Sequence, residues 1–172
     1  PVAIAGFQIR DVHPQRRWLN VPETLVHSSN IVTARISDDL GIARMQQLME
    51  ALEFRNRPHI EIKERAKPIW PKSWGRLTNM TVGFGHGIAV TPLHLASAYA
   101  ALVNGGVWRP ATLLKVDGAL PKGRQVFKPA TSARMRQLLR MIVVDGTGKQ
   151  ADAPGFRVGG KTGSAEKPAE GG

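Results

Sequence analysis

No cysteine occurs anywhere in these 172 residues, which excludes a disulfide scaffold and a thiolate metal site and fits a cytosolic or an exported bacterial protein alike. Nor is there an apolar run of the about 20 residues that a membrane-spanning helix needs, and no recognisable signal peptide begins at Pro1. A chain that starts at proline rather than methionine reads as an excerpt, so any anchor or export signal is expected outside it. The histidines His13, His27, His59, His86 and His94 show neither H-E-x-x-H nor any paired spacing, and neither a metal nor a cofactor is expected. Acidic residues are few, 13 against 24 Lys and Arg, for a net charge of +11. Such an excess favours polyanions, but the bases are scattered from Arg10 to Lys167, and their densest stretch, residues 55–76, carries Glu61 and Glu64. With no arginine-rich helix, zinc-finger spacing or RNA-binding aromatic signature, nucleic acid is not an expected partner.

What is present suffices for one domain with a core, since 42% apolar and 22% charged residues is ordinary globular composition. Residues 2–9, VAIAGFQI, read as a strand ending at 11–14. Val21-Pro22-Glu23 reads as a helix start with proline in its first turn, leading into His27-Ser28-Ser29-Asn30; the IVTARI that follows is open between a helical turn and a strand. Ser37, Asp38 and Asp39 are candidate N-caps for a helix carrying Leu40, Ala43, Leu48, Met49 and Leu52. The stretch RNRPHIEIKERAKPIWPKSW, with three prolines and no period, reads as a long loop. Its Trp70 and Trp74 read as anchors, with contact to a glycan strand or partner as the alternative. Gly83-Phe84-Gly85-His86-Gly87 lacks phosphate-loop spacing and reads as a tight turn. Thr91 and Pro92 open a buried helix, LHLASAYAALV, that Asn104-Gly105-Gly106 stops. Residues 107–116 read as a strand, with Pro110 arguing for an edge or a bend. Thr131 or Ser132 caps a helix that Asp145-Gly146-Thr147-Gly148 ends, and residues 156–164 read as the last strand. This order favours an α+β fold.

Residues 158–167, VGGKTGSAEK, gather a lysine, two hydroxyls and several glycines. Glycines let a ligand approach the backbone, while the Lys161 ammonium and the hydroxyls of Thr162 and Ser164 can hold a carboxylate. The bland reading is a Gly-rich turn with a solvated lysine; a lysine, a hydroxyl residue and a glycine in a row arise by chance in roughly one such chain in fifteen. Ser28-x-Asn30 arises in roughly four in ten, and its ordinary role is helix capping. Their company matters more. The motifs S-x-x-K, S-x-N and K-T-G together mark penicillin-binding proteins and serine β-lactamases, and the second and third occur here in that order. The first does not. A nucleophilic serine of this kind needs a lysine one helical turn later to take its proton. The sole S-x-x-K match, Ser164-Ala165-Glu166-Lys167, overlaps the third motif and follows the other two instead of preceding them.

Five blocks, GFQIRDVHP, WLNVPETLVHSSNIVTARI, MTVGFGHGIAVTPLHLASAYAALVNGG, MIVVDGTGKQA and GGKTGSAEK, resemble successive parts of the transpeptidase domain of class B penicillin-binding proteins, above all the division-type, septal members. The resemblance runs through nearly the whole chain, and VTPLHLASAYAALVNGG is far more specific than either short motif. It implies a partial serine β-lactamase/D,D-transpeptidase-like α+β fold, an antiparallel sheet packed against helices. Residues 1–172 would be an interior part of a single transpeptidase domain, without the nucleophile helix and the last sheet strands, which are cut away, disordered or carried on a separate chain. In the resemblance Ser28 relays protons, Asn30 binds a substrate amide and Lys161 supports Ser28 electrostatically. Thr162, Gly163 and Ser164 form the carboxylate-binding segment, and the Ser164 N–H supplies half of an oxyanion hole.

The implied activity is serine D,D-transpeptidation of peptidoglycan in cell division, at the periplasmic face of the bacterial inner membrane, through an anchor outside this chain. Stem peptides ending in D-Ala-D-Ala, β-lactam antibiotics and divisome membrane proteins are the implied partners. The 172 residues alone are expected not to acylate. Two alternatives are a serine β-lactamase-like hydrolase, for which no acidic residue stands in a motif as water-activating base, and an inert or scaffolding fragment.

Overall fold

The computed structural model describes residues 2–164; Ala165, Glu166 and Lys167 of the rejected S-x-x-K match lie outside the described residues. The expected first strand is a hairpin. Ala5 and Gly6 both take positive φ (47° and 81°), which turns β1 (Val2–Ile4) back into β2 (Phe7–Ile9), with Val2 opposite Ile9.

Helix α1 (Val21–Val26) starts where its residues require. The Asn20 side chain accepts from the Glu23 N–H, the Glu23 carboxylate accepts from the Asn20 N–H, and Pro22 sits in the first turn. The IVTARI segment is helical, inside α2 (Asn30–Leu40), which the Ser29 hydroxyl caps by accepting from Val32 N–H. Ser37, Asp38 and Asp39 therefore lie in the last turns of α2 and do not cap the next helix. The break falls at Gly41, whose φ of 77° separates α2 from α3 (Ile42–Ala51).

Helix α4 (Arg76–Gly83) follows the loop, and tertiary contacts satisfy its buried polar residue. Asn79 is buried, donating through Nδ2 to the Ser37 carbonyl at 2.5 Å and accepting at Oδ1 from Trp74 Nε1 at 3.3 Å. Helices α2 and α4 pack closely, for a Cβ at Gly83 would overlap the Ser37 hydroxyl. Met80, Ala34 and Ile9 form the core between them and the hairpin, with Ile31 and Phe84 beside it. The tight turn at residues 84–87 ends α4, with His86 N–H donating to Thr81 O at 3.0 Å.

Thr91 caps α5 (Pro92–Val103), and His94 closes the cap from within. The helix is buried on one side only: His94, Ala98 and Ala101 face inward, while Leu95 is 49% exposed. The strand expected over 107–116 is two residues long, β3 (Val107–Trp108), paired antiparallel with β4 (Arg124–Gln125); Pro110 brings no N–H to extend the ladder. Helix α6 (Pro129–Asp145) starts after Lys128, with Pro129 first, so neither Thr131 nor Ser132 caps it. Ser132 is instead fully buried, its hydroxyl donating to Leu102 O at 2.6 Å and accepting from Gly105 N–H at 3.0 Å, which ties α5 to α6. A single 3-10 turn (Lys149–Ala151) follows.

Residues 156–164 do not form a strand. A strand is defined by a ladder to a neighbour, and here the backbone bonds to α6 instead: Gly160 N–H donates to Leu139 O at 3.1 Å, and Val158 O accepts from Arg140 Nη1 at 2.9 Å. The architecture is α+β, with two small antiparallel pairs rather than one sheet among the described residues. No described helix is long and apolar enough to cross a membrane.

Candidate active site

Helix α6 is the spine on which two walls meet. Helix α1 packs along it, and the turn after α6 presses on the end of α1: Thr147 N–H donates to Val26 O at 3.3 Å. Only glycine fits at position 146, since a Cβ there would stand 2.6 Å from Val26 O. Two residues beyond Val26 comes Ser28, half-buried, with a φ of 55°. That left-handed conformation is costly for a serine, and it turns the chain sharply from α1 into α2.

Asp11 fixes this corner from outside, its Oδ1 accepting from Ile31 N–H and its Oδ2 from the Ser29 hydroxyl, both at 2.9 Å. The Asn30 amide donates to Arg10 O at 3.3 Å.

The second wall is the segment from Val158 to Ser164, held on α6 by the Leu139 and Arg140 bonds. Arg140 also pairs with Asp152, Nη1 to Oδ1 at 2.6 Å, and its guanidinium holds the Asp152 carboxyl below the ordinary 3.8. Gly159 lies tight against the helix, where a Cβ would come within 3.2 Å of Arg140 N.

The walls touch at Lys161, whose Nζ donates to Ser28 Oγ at 2.7 Å and to Thr162 O at 3.0 Å, joining residues 133 positions apart. Burial pushes the Lys161 amine below its ordinary 10.5. An ammonium donates and cannot accept, so while Lys161 is charged Ser28 must be the acceptor and its own proton is left to go elsewhere. The pair thus leaves the Ser28 proton free to bond a third group. Thr162 Oγ1 stands 2.7 Å from Thr147 Oγ1. Thr162, Gly163 and Ser164 are exposed, and a Cβ on Gly163 would meet nothing within 4 Å.

Of the six residues singled out by sequence, the fold brings Ser28, Lys161 and Thr162 together, places Gly163 and Ser164 at the surface beyond them, and directs the Asn30 amide to Arg10. Sequence reasoning missed Asp11, Arg140 with Asp152, and Thr147. Asp11 read as the end of a strand and Thr147 as part of a helix stop; nothing in their spacing signals the partners of their side chains, which lie 15 to 20 positions away.

The family model for the penicillin binding protein transpeptidase domain matches residues 2–172. A probable peptidoglycan D,D-transpeptidase FtsI from Caulobacter vibrioides is 42% identical over 171 residues, covering 97% of this chain and 29% of that protein. The chain therefore spans under a third of that relative's length. A crystal structure of a peptidoglycan glycosyltransferase from Burkholderia ambifaria superposes with a TM-score of 0.90 at 31% identity, over 96% of this chain and 54% of that one. The transpeptidase domain of penicillin-binding protein 3 from Burkholderia pseudomallei gives 0.83 at 32% identity, over 90% of this chain and 48% of that one. Sequence and backbone agree over nine-tenths or more of the chain, and the chain belongs to the penicillin-binding protein transpeptidase domain family.

Proposed function

We propose that residues 1–172 are part of a single transpeptidase domain and supply two walls of the active site of a peptidoglycan D,D-transpeptidase acting in cell division. The observation that supports this is the 2.7 Å bond from Lys161 Nζ to Ser28 Oγ, a charged donor on a hydroxyl, beside the exposed hydroxyls of Thr162 and Ser164. The relatives' names favour transpeptidation over β-lactamase-like hydrolysis.

In the proposed reaction a serine from outside these 172 residues attacks the carbonyl carbon of the D-Ala-D-Ala amide in a donor stem peptide. The attacking serine gives up its proton, Ser28 takes that proton as it passes its own to the leaving amine, the C–N bond breaks, and D-Ala departs, leaving an acyl-enzyme with Ser28 unchanged. The amine of a neighbouring stem then attacks the ester, forming the cross-link and returning the proton to the serine. Lys161 keeps Ser28 oriented as acceptor throughout, Asn30 binds a substrate amide, and Thr162, Gly163 and Ser164 receive the terminal carboxylate. The Ser164 N–H contributes to the oxyanion hole. A β-lactam carries the same carboxylate and would trap the same serine. The protein would work at the periplasmic face of the inner membrane, at the septum, among divisome membrane proteins.

Fluorescent penicillin tests the proposal on the full-length protein. Covalent labelling that survives denaturation and is blocked by unlabelled benzylpenicillin is expected; a full-length, folded protein that takes no label refutes it.

A further inference from the structure

We propose that Thr147 is a positioning residue for the carboxylate end of the substrate, orienting the Thr162 hydroxyl and keeping its segment in register with Ser28. This rests on the D,D-transpeptidase reading. Thr147 has a bond to each wall: its N–H donates to Val26 O at 3.3 Å, two residues before Ser28, and its hydroxyl oxygen is 2.7 Å from that of Thr162.

A threonine hydroxyl has one proton and two lone pairs, and a carboxylate only accepts. In the free site either threonine can donate to the other. Once Thr162 gives its proton to a carboxylate, Thr147 must supply the proton for the bond between them. The Lys161 ammonium, 3.5 Å from Thr162 Oγ1, lies on the acceptor side as well. Thr162 then donates to an anion while two donors polarise its O–H, which strengthens that bond.

Helix termination does not need the Thr147 hydroxyl. Gly146 N–H and Gly148 N–H both donate to Ile142 O, at 3.1 and 3.0 Å, closing α6 with backbone alone, and Thr147 itself is exposed. An exposed side chain aimed at Thr162 serves the site better than the fold.

A double-mutant cycle in the full-length protein tests this, reading the second-order rate of acylation by benzylpenicillin. Thr147→Val should slow acylation about three- to tenfold, the worth of one hydrogen bond. Thr162→Val should slow it more, and the double variant should be no slower than Thr162→Val, because the two hydroxyls act as a unit. Thr147→Ser should restore the rate to within about twofold, since the proton is back. If valine perturbs the turn, Thr147→Ala runs the same cycle without the β-branch. A Thr147→Val rate within about twofold of the parent, or losses that multiply in the double variant, overturns the proposal. An unacylated parent sinks the transpeptidase reading and this inference with it, whereas an acylated parent with multiplying losses sinks the Thr147 role alone.

Discussion

Replacing Lys161 by methionine keeps most of the stem that packs beside Ser28 and removes the charge and its proton. The substitution removes the 3.0 Å bond to Thr162 O and, at the relay position, the 2.7 Å bond to Ser28 Oγ. A hydrogen bond to a charged group contributes about 1.5–3 kcal/mol. If the transition state for acylation depends on it, the rate should fall between roughly 10- and 150-fold, at a tenfold loss for each 1.36 kcal/mol. The assay is the acylation rate of the full-length protein by fluorescent penicillin, beside a thermal melt. Stability should change little by comparison, since burial of the ammonium lowers the Lys161 pKa and so opposes folding while the group is charged.

The pH dependence sharpens the test. The folded pKa lies below the ordinary 10.5, so between the two values the unfolded chain binds more protons. Stability therefore rises with pH through that window, as the cost of the buried charge is lifted. Acylation should move the other way, falling as Lys161 deprotonates, and the methionine variant should lack both effects at this site. A variant that acylates within about twofold of the parent refutes the reasoning, because a bond of this strength would then have no share in the transition state.

Two further substitutions probe the scaffold. Ser28→Gly should be about 1 kcal/mol more stable than Ser28→Ala: both lose the Lys161 bond, but only glycine takes the φ of 55° without strain. Equal melting temperatures would show that the corner stores none. Ser132→Ala should cost about 1–3 kcal/mol in urea unfolding with an unchanged m-value, since it removes from Gly105 N–H and Leu102 O the partner that the fully buried Ser132 supplies; an unmoved midpoint would refute the α5 to α6 tie.

Sequence alone determined the features governed by neighbours a few positions apart. Pro22 and Glu23 open α1, Thr91 and Pro92 open α5, and Gly146 closes α6, each through bonds that a chain can make within one helical turn. It also carried the family, because the five blocks hold their order along the chain. It did not determine α4, whose buried Asn79 depends on Ser37 and Trp74, nor the extent of strands at 107–116 and 156–164, since a ladder exists only where another strand lies alongside. Only the tertiary structure decided that Ser28 and Lys161, 133 positions apart, share one hydrogen bond, and that Asp11, Arg140 and Thr147 hold them there. The physical reason is that such contacts depend on α1 and the Lys161 segment both packing on α6, and no local propensity encodes that meeting.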